Sequence, residues 1–172
     1  MLNCYVDADF AGMYASSDPE DPKSVKSRTG FVILLGTTPI AWASKLQTET
    51  ALSTMESEYI ALSQAFRILL PLRELLQEIC GPLKVIGGNS LTIRSTIFED
   101  NQACYQLATT DPPCMTPRSK SIAIKYHWFR EHLRPGEVEI APIASQEQLA
   151  DIFTKPLSPV LFEYLRTKLL GW

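Results

Sequence analysis

Apolar positions along the chain fall into short alternating or continuous runs at both ends and one long periodic stretch between them. Residues 2–6 read as a strand, and residues 30–35 and 40–43 as two more, joined by the turn signal Gly36-Thr37-Thr38-Pro39. That is a strand followed by an antiparallel hairpin, with the polar residues 16–28 as the intervening loop. From 53 to 79, Met55, Tyr59, Leu62, Phe66, Leu69, Leu72, Leu76 and Ile79 recur at three- and four-residue steps, the period of one amphipathic helix, with Pro71 as a predicted kink. Gly81-Pro82 ends it, and the turn Gly87-Gly88-Asn89-Ser90 precedes a strand over 91–98. A short helix over 101–108, a loop at Asp111-Pro112-Pro113, a basic helical stretch over 119–133, a strand over 137–140 and helices over 147–154 and 159–170 complete the chain.

This order predicts an α/β fold. The first three strands are antiparallel, and the last two, reached through helical crossovers, run parallel to strand one. The result is a five-stranded mixed sheet flanked by helices on both faces. At 172 residues and 45% hydrophobic content, residues 1–172 are expected to form a single domain, with a C-terminal helical extension at about 156–172. The first residues lack a secretory pattern, and no apolar run reaches the ~18–20 residues that cross a bilayer. The scattered cysteines Cys4, Cys80, Cys104 and Cys114 signal neither a disulfide framework nor a zinc site.

A net charge of -3 argues against non-specific coating of nucleic acid. Basic residues nevertheless concentrate locally: Arg118, Lys120, Lys125, Arg130 and Arg134 stand against Glu131 alone, interleaved with His127, Trp128, Phe129 and His132. Taken alone, that stretch fits a solvated helix face as well as it fits a polyanion site.

Candidate chemistry rests on carboxylates. Asp7 follows the first strand and Asp100 the fourth, which places both at the mouth where parallel strands present ligand sites, although aspartate at a strand end is also an ordinary turn former. Ser53-Thr54-Met55-Glu56 is a capping box, so Glu56 has a local task at the backbone of Ser53. Glu58 has none. At about 100° per residue it falls within the apolar stripe, where an unpaired carboxylate costs several kcal/mol. No lysine or arginine lies within a turn of it on that stripe. Were Asp7, Glu58 and Asp100 to converge, their mutual repulsion would call for a multivalent cation. An all-oxygen ligand set selects Mg²⁺ or Mn²⁺. Carboxylates holding two such ions ~3.5–4 Å apart are the apparatus for water attack on a phosphodiester.

Six segments carry a resemblance: Tyr5-Val6-Asp7-Ala8-Asp9-Phe10-Ala11-Gly12, Ser27-Arg28-Thr29-Gly30-Phe31, Ala51-Leu52-Ser53-Thr54-Met55-Glu56-Ser57-Glu58-Tyr59, Glu99-Asp100-Asn101-Gln102-Ala103, Lys125-Tyr126-His127-Trp128-Phe129-Arg130-Glu131 and Gln148-Leu149-Ala150-Asp151-Ile152-Phe153-Thr154-Lys155-Pro156-Leu157. In this order, over nearly the whole chain, they resemble the ribonuclease H domain that ends the copia-type LTR retrotransposon polyprotein. The resemblance implies a ribonuclease H-like fold and an endonuclease that cuts the RNA strand of RNA–DNA hybrids during reverse transcription. It implies a four-carboxylate site, Asp7, Glu58, Asp100 and Asp151, holding two Mg²⁺ ions, with Mn²⁺ able to substitute. It also implies a reverse transcriptase upstream in the same polyprotein and an intracellular setting, a cytoplasmic virus-like particle or the nucleus.

Asp151 enters through the resemblance alone. On a helix over 147–154 capped by Ser145, it lies opposite Leu149, Ile152 and Phe153, where a solvated face is the plainer reading. For the hybrid, the resemblance points to Gln102, and helix starts add Asn101, Ser53 and Thr54 as polar groups suited to sugar and phosphate oxygens, with Lys120, Lys125 and Arg130 as phosphate partners. One departure stands out: the family pattern reads Lys-His-Ile where this chain has Lys120-Ser121-Ile122, which implies slower turnover. Two alternatives stay open, a captured or catalytically weak domain acting as a nucleic-acid or protein binding module, and a different nuclease on the same sheet.

Overall fold

The hairpin anticipated from the Gly36 turn is the outer part of a larger sheet. In the computed structural model, which describes residues 1–14, 20–81, 93–110 and 126–172, β1 (Leu2–Asp9), β2 (Arg28–Leu35) and β3 (Thr38–Leu46) pair antiparallel in sequence order. Gly36 takes a positive φ of 64° in the β2–β3 turn, a conformation glycine adopts without a Cβ penalty. Helix α1 (Thr54–Cys80) then carries the chain to β4 (Ser95–Glu99), parallel to β1. After α2 (Gln102–Thr109), β5 (Val138–Pro142) joins parallel to β4. The sheet order is β3-β2-β1-β4-β5, the five-stranded mixed topology anticipated from connectivity. The last element is α3 (Pro159–Leu170), capped by Ser158 and stopped by Gly171 at a φ of 79°.

The period-two pattern of the strands serves two cores. Leu2, Cys4, Val6 and Ala8 of β1, with Phe31 and Ile33 of β2, meet Tyr59, Leu62, Phe66 and Leu69 of α1. On the opposite face Val32 and Leu34 meet Leu149, Leu165 and Leu169. Each such side chain contributes ~1.5–3 kcal/mol of burial, and Leu165 and Leu169 are the buried side chains of α3 in this core. The buried part of α1 ends at Leu69. Beyond it Leu75 and Ile79 are exposed, and the helix continues through Pro71. Among the described residues, no helix is long and apolar enough to cross a membrane.

The strands run a few residues beyond the sequence reading, so that Asp7 lies inside β1 and does not follow it, and three further differences stand out. The fourth strand starts at Ser95 rather than 91, with 91–92 outside the described residues. Of the basic helical stretch over 119–133, the described part is one 3₁₀ segment, Trp128–His132. The helix expected over 147–154 is a pair of 3₁₀ segments, Ser145–Glu147 and Leu149–Phe153, interrupted at Gln148. Ser145 caps neither; the Gln148 side chain caps the second by accepting from the Ala150 N–H. A buried polar side chain thus takes the place of a helical turn.

Candidate metal centre and nucleic-acid interface

β1 and β4 pair only as far as Tyr5 and Phe98. Beyond that rung the strands are free to part, and Asp7 on β1 and Asp100 just after β4 flank the opening. Asp7 alternates with the core residues Val6 and Ala8, so it leaves the sheet on the face opposite α1. Glu58 arrives from the first turns of α1. Ligand oxygens of Asp7, Glu58 and Asp100 lie within 4.8 Å of one another.

The start of α1 is fixed by two polar devices. Ser53 Oγ accepts from the Glu56 N–H at 3.2 Å, as the capping box requires. The Glu56 carboxylate reaches back one residue further than anticipated, accepting from Leu52 N–H at 2.9 Å. Glu56 is therefore occupied at the cap and Glu58 is left for the cluster. Gln47, fully buried, donates from Nε2 to Thr29 Oγ1 at 3.0 Å and to the Ser57 carbonyl at 2.8 Å, tying the residue before Glu58 to β2.

Burial is the dominant electrostatic fact. It pushes Asp7 above the ordinary carboxylate range against the opposing pull of Lys155 and Thr154. Glu58 is driven well above that range by burial, then by Glu99, Asp7 and Asp100. Glu99, fully buried, is pushed up to about 8 by burial, although the Asn101 N–H donates to its Oε1 at 3.0 Å. Among the described residues, Glu58 Oε2 and Glu99 Oε2 have no hydrogen-bond partner.

Asp151 departs from expectation. Rather than facing solvent it is 3% exposed, because the 3₁₀ segment advances with about three residues per turn and rotates it inward. Burial pushes it up to about 6 despite an ion pair with Lys155 Nζ at 2.9 Å. The same ammonium stands 3.5 Å from Asp7 Oδ1. Burial disfavours its charge, but Asp7 and Asp151 outweigh this and hold its pKa above the usual lysine value. Thr154 donates its hydroxyl to Asp7 Oδ2. Gly30, opposite Asp7, permits this approach: a Cβ there would lie 2.5 Å from Thr154 Cγ2.

The donor set fits a hard divalent cation. It consists of carboxylate oxygens only, two of the three carboxylates are buried, and Glu58 presents an oxygen with no hydrogen-bond partner among the described residues. Asp7, Glu58 and Asp100 would hold such an ion, with Asp151 beside Asp7 across Lys155.

The expected nucleic-acid residues divide. Ser53 and Thr54 are exposed at the start of α1, and Gln102 is exposed at the start of α2. Asn101 caps α2, its Oδ1 accepting from Cys104 N–H at 3.0 Å. Arg130 is committed elsewhere, since its guanidinium donates to the carbonyls of Leu107 and Thr110 and closes the C-terminus of α2. Lys120 and Lys125, with Arg118 and Ser121, lie outside the described residues. Three residues with no role in the sequence reading belong to the centre: Lys155, Thr154 and Gln148. The Asp151–Lys155 spacing of four was the available signal for the first; the other two act across the whole chain length.

No family model matches the chain. It is 32% identical over 168 residues to the retrovirus-related Pol polyprotein from transposon RE1 of Arabidopsis thaliana, a match covering 98% of this chain and 10% of the polyprotein. It is 31% identical over 163 residues to the corresponding polyprotein from transposon TNT 1-94 of Nicotiana tabacum, covering 95% and 11%. The chain thus spans about one tenth of these relatives. Among solved structures it is similar to LC11-RNase H1 in complex with RNA/DNA hybrid, with a TM-score of 0.54, 14% identity, and 90% and 94% of the two chains covered. It is likewise similar to an N-terminal RNase H domain from Mycobacterium tuberculosis, with a TM-score of 0.54, 10% identity, and 96% of each chain covered.

Proposed function

Because this chain is a relative of the transposon Pol polyproteins and carries the ribonuclease H fold, we propose that it is a ribonuclease H that hydrolyses the RNA strand of RNA–DNA hybrids with two divalent metal ions. The observation that carries this reading is the meeting of Asp7, Glu58 and Asp100 within 4.8 Å. Three carboxylates at that distance, two of them buried, repel one another more than the Lys155 ammonium beside Asp7 offsets, which favours a bound cation.

Mg²⁺ or Mn²⁺ bound there supplies a Lewis acid and a nucleophilic water at neutral pH. The chain supplies the rest. Asp7 sits on β1 and Asp100 directly after β4, where the two strands cease to pair, and Glu58 on a helix pinned to the sheet by Gln47. Thr154 and Lys155 orient Asp7. Asp151 extends the carboxylate set on the far side of Lys155. Ser53, Thr54, Asn101 and Gln102, at the starts of two helices beside the cluster, are small polar groups suited to sugar and phosphate oxygens, including the 2′-hydroxyls that tell RNA from DNA. Lys120 and Lys125 are proposed phosphate partners. On this reading residues 1–172 act as one unit, with an upstream reverse transcriptase as partner, wherever reverse transcription takes place.

The test is a labelled hybrid incubated with the chain in Mg²⁺, in Mn²⁺ and in EDTA. Cleavage confined to the RNA strand and to the metal-containing samples is expected. Cutting of duplex DNA or four-way junctions with the hybrid left intact would assign a different nuclease, and no cutting of any substrate would favour a binding module.

A further inference from the structure

Gln148 is fully buried, and all of its carboxamide's strong hydrogen-bonding groups face backbone. Its Nε2 donates to the Val6 carbonyl at 2.9 Å and to the Phe98 carbonyl at 3.3 Å. Its Oε1 accepts from the Ala150 N–H at 3.3 Å. The amide orientation follows from these partners, since the reverse would set the oxygen against two carbonyls and the NH₂ against an N–H. Val6 immediately precedes Asp7, Phe98 lies two residues before Asp100, and Ala150 immediately precedes Asp151. One side chain therefore joins the three segments that carry three of the four carboxylates. It does so where the β1–β4 ladder, whose last rung is Tyr5–Phe98, no longer holds the strands together.

We propose that Gln148 is a positioning residue for the metal centre: by bridging the parted ends of β1 and β4 and anchoring the Asp151 segment to both, it sets the spacing of the carboxylates and hence the affinity for divalent ions. The proposal rests on the metal-dependent reading above. Gln148 touches neither ion nor substrate; it acts through Val6, Phe98 and Ala150. Only a side chain with two donors and an acceptor on one planar group satisfies all three partners, so neither a carboxylate nor an apolar group of equal length replaces it. Groups that orient metal ligands without touching the metal typically change affinity by about 10–100-fold when removed.

The test uses the full chain and two variants. Gln148→Met keeps length and apolar volume but removes every strong donor and acceptor; Gln148→Asn keeps the amide one methylene short. Mn²⁺ binding is measured calorimetrically without nucleic acid, melting temperature in EDTA, and cleavage of hybrid across an Mn²⁺ series. For Gln148→Met, the Mn²⁺ dissociation constant and the half-saturating Mn²⁺ for cleavage should both rise at least about tenfold. The rate at saturating Mn²⁺ should fall far less, and Gln148→Asn should lie between. Unchanged Mn²⁺ affinity with a lowered melting temperature, in Met or, should Met not fold, in Asn, would make Gln148 a packing residue only and overturn the proposal. A wild-type chain that binds no Mn²⁺ would instead overturn the metal-dependent reading itself, an outcome visible before any variant is examined.

Discussion

The two flanks of the carboxylate cluster are built on opposite principles. On one, Asp7 and Asp151 share the Lys155 ammonium, and Asp7 also takes the Thr154 hydroxyl. On the other, Glu58 and Glu99 stand against each other, each with an oxygen that, among the described residues, has neither a hydrogen bond nor, unlike Asp151 Oδ1, an ion pair. The chain neutralises half of its own site and leaves the other half charged or protonated. On the proposed metal-dependent reading, the Glu58 flank is the one whose stability would depend most on a cation from outside, and the Asp151 flank the one where an incoming ion would compete with an ammonium already in place.

The comparison can be broken at several points. The largest effect belongs to Asp100, which lies on neither flank and closes the cluster: Asp100→Asn should lower hybrid cleavage by at least ~10² with the circular dichroism spectrum unchanged. A rate near wild type would remove the metal centre from the chemistry. Next come two substitutions of opposite sign in metal-free protein. Lys155→Met strips from Asp7 and Asp151 the only cation paired with them among the described residues; because removing one partner of a buried pair costs ~3–5 kcal/mol and Lys155 is 36% exposed, a loss of about 1–2 kcal/mol is expected. Glu58→Gln replaces a buried carboxyl that burial and its neighbours hold away from its charged form, and should raise stability by about 1 kcal/mol while lowering cleavage. Thermal melts of both in EDTA decide it, and shifts of equal sign would erase the distinction between the flanks.

A pH series extends the same contrast. Burial raises Asp151 to about 6 and Glu99 to about 8, the latter faced by Glu58 from α1, Asp7 from β1, and Asp100 and Cys104 beside it. Both lie above their unfolded values, so the folded, metal-free chain keeps protons that the unfolded chain has released. Their contribution to stability is complete below the ordinary carboxylate range and is lost as pH rises through about 6 and then about 8. Melting temperature in EDTA should therefore fall over that interval, and Mg²⁺ should flatten the fall; a metal-free stability that rises from pH 5 to 8 would contradict the assignment. The smallest effect is at Glu56, whose carboxylate only closes the turn before α1: Glu56→Ala should cost about 0.5–1 kcal/mol and leave Mn²⁺ affinity untouched in a calorimetric titration.

The parts of the molecule legible in its sequence are those governed by local periodicity. The strands, α1 and the parallel crossovers follow from where apolar residues recur, and the capping box together with helical phase separates Glu58 from Glu56. The hidden parts depend on long-range contact or on a change of helix type. Asp151 reads as solvent-facing on an α-helix and is buried because the segment is 3₁₀. Arg130 reads as a phosphate partner within a basic stretch, yet its guanidinium closes α2 through Leu107 and Thr110, contacts that no spacing rule foretells. Lys155, Thr154 and Gln148 sit inside a segment whose likeness to a family is plain, while their targets Asp7 and Val6 lie at the other end of the chain. Glu99 shares a motif with Asp100, and only the fold shows that it faces Glu58.

The bond from Gln148 to Val6 spans 142 positions and that from Thr154 to Asp7 spans 147. Contacts of such separation close late, because the intervening chain must be ordered before its ends can meet. During synthesis, β1 through β4 have emerged before the residues that hold Asp7 in place exist. A chain stopped short of residue 148 thus carries the strands of the sheet but not its clasp. On the metal-dependent reading, competence to bind an ion should arrive abruptly with the Gln148–Lys155 segment, which makes the centre a marker of late and not of early folding.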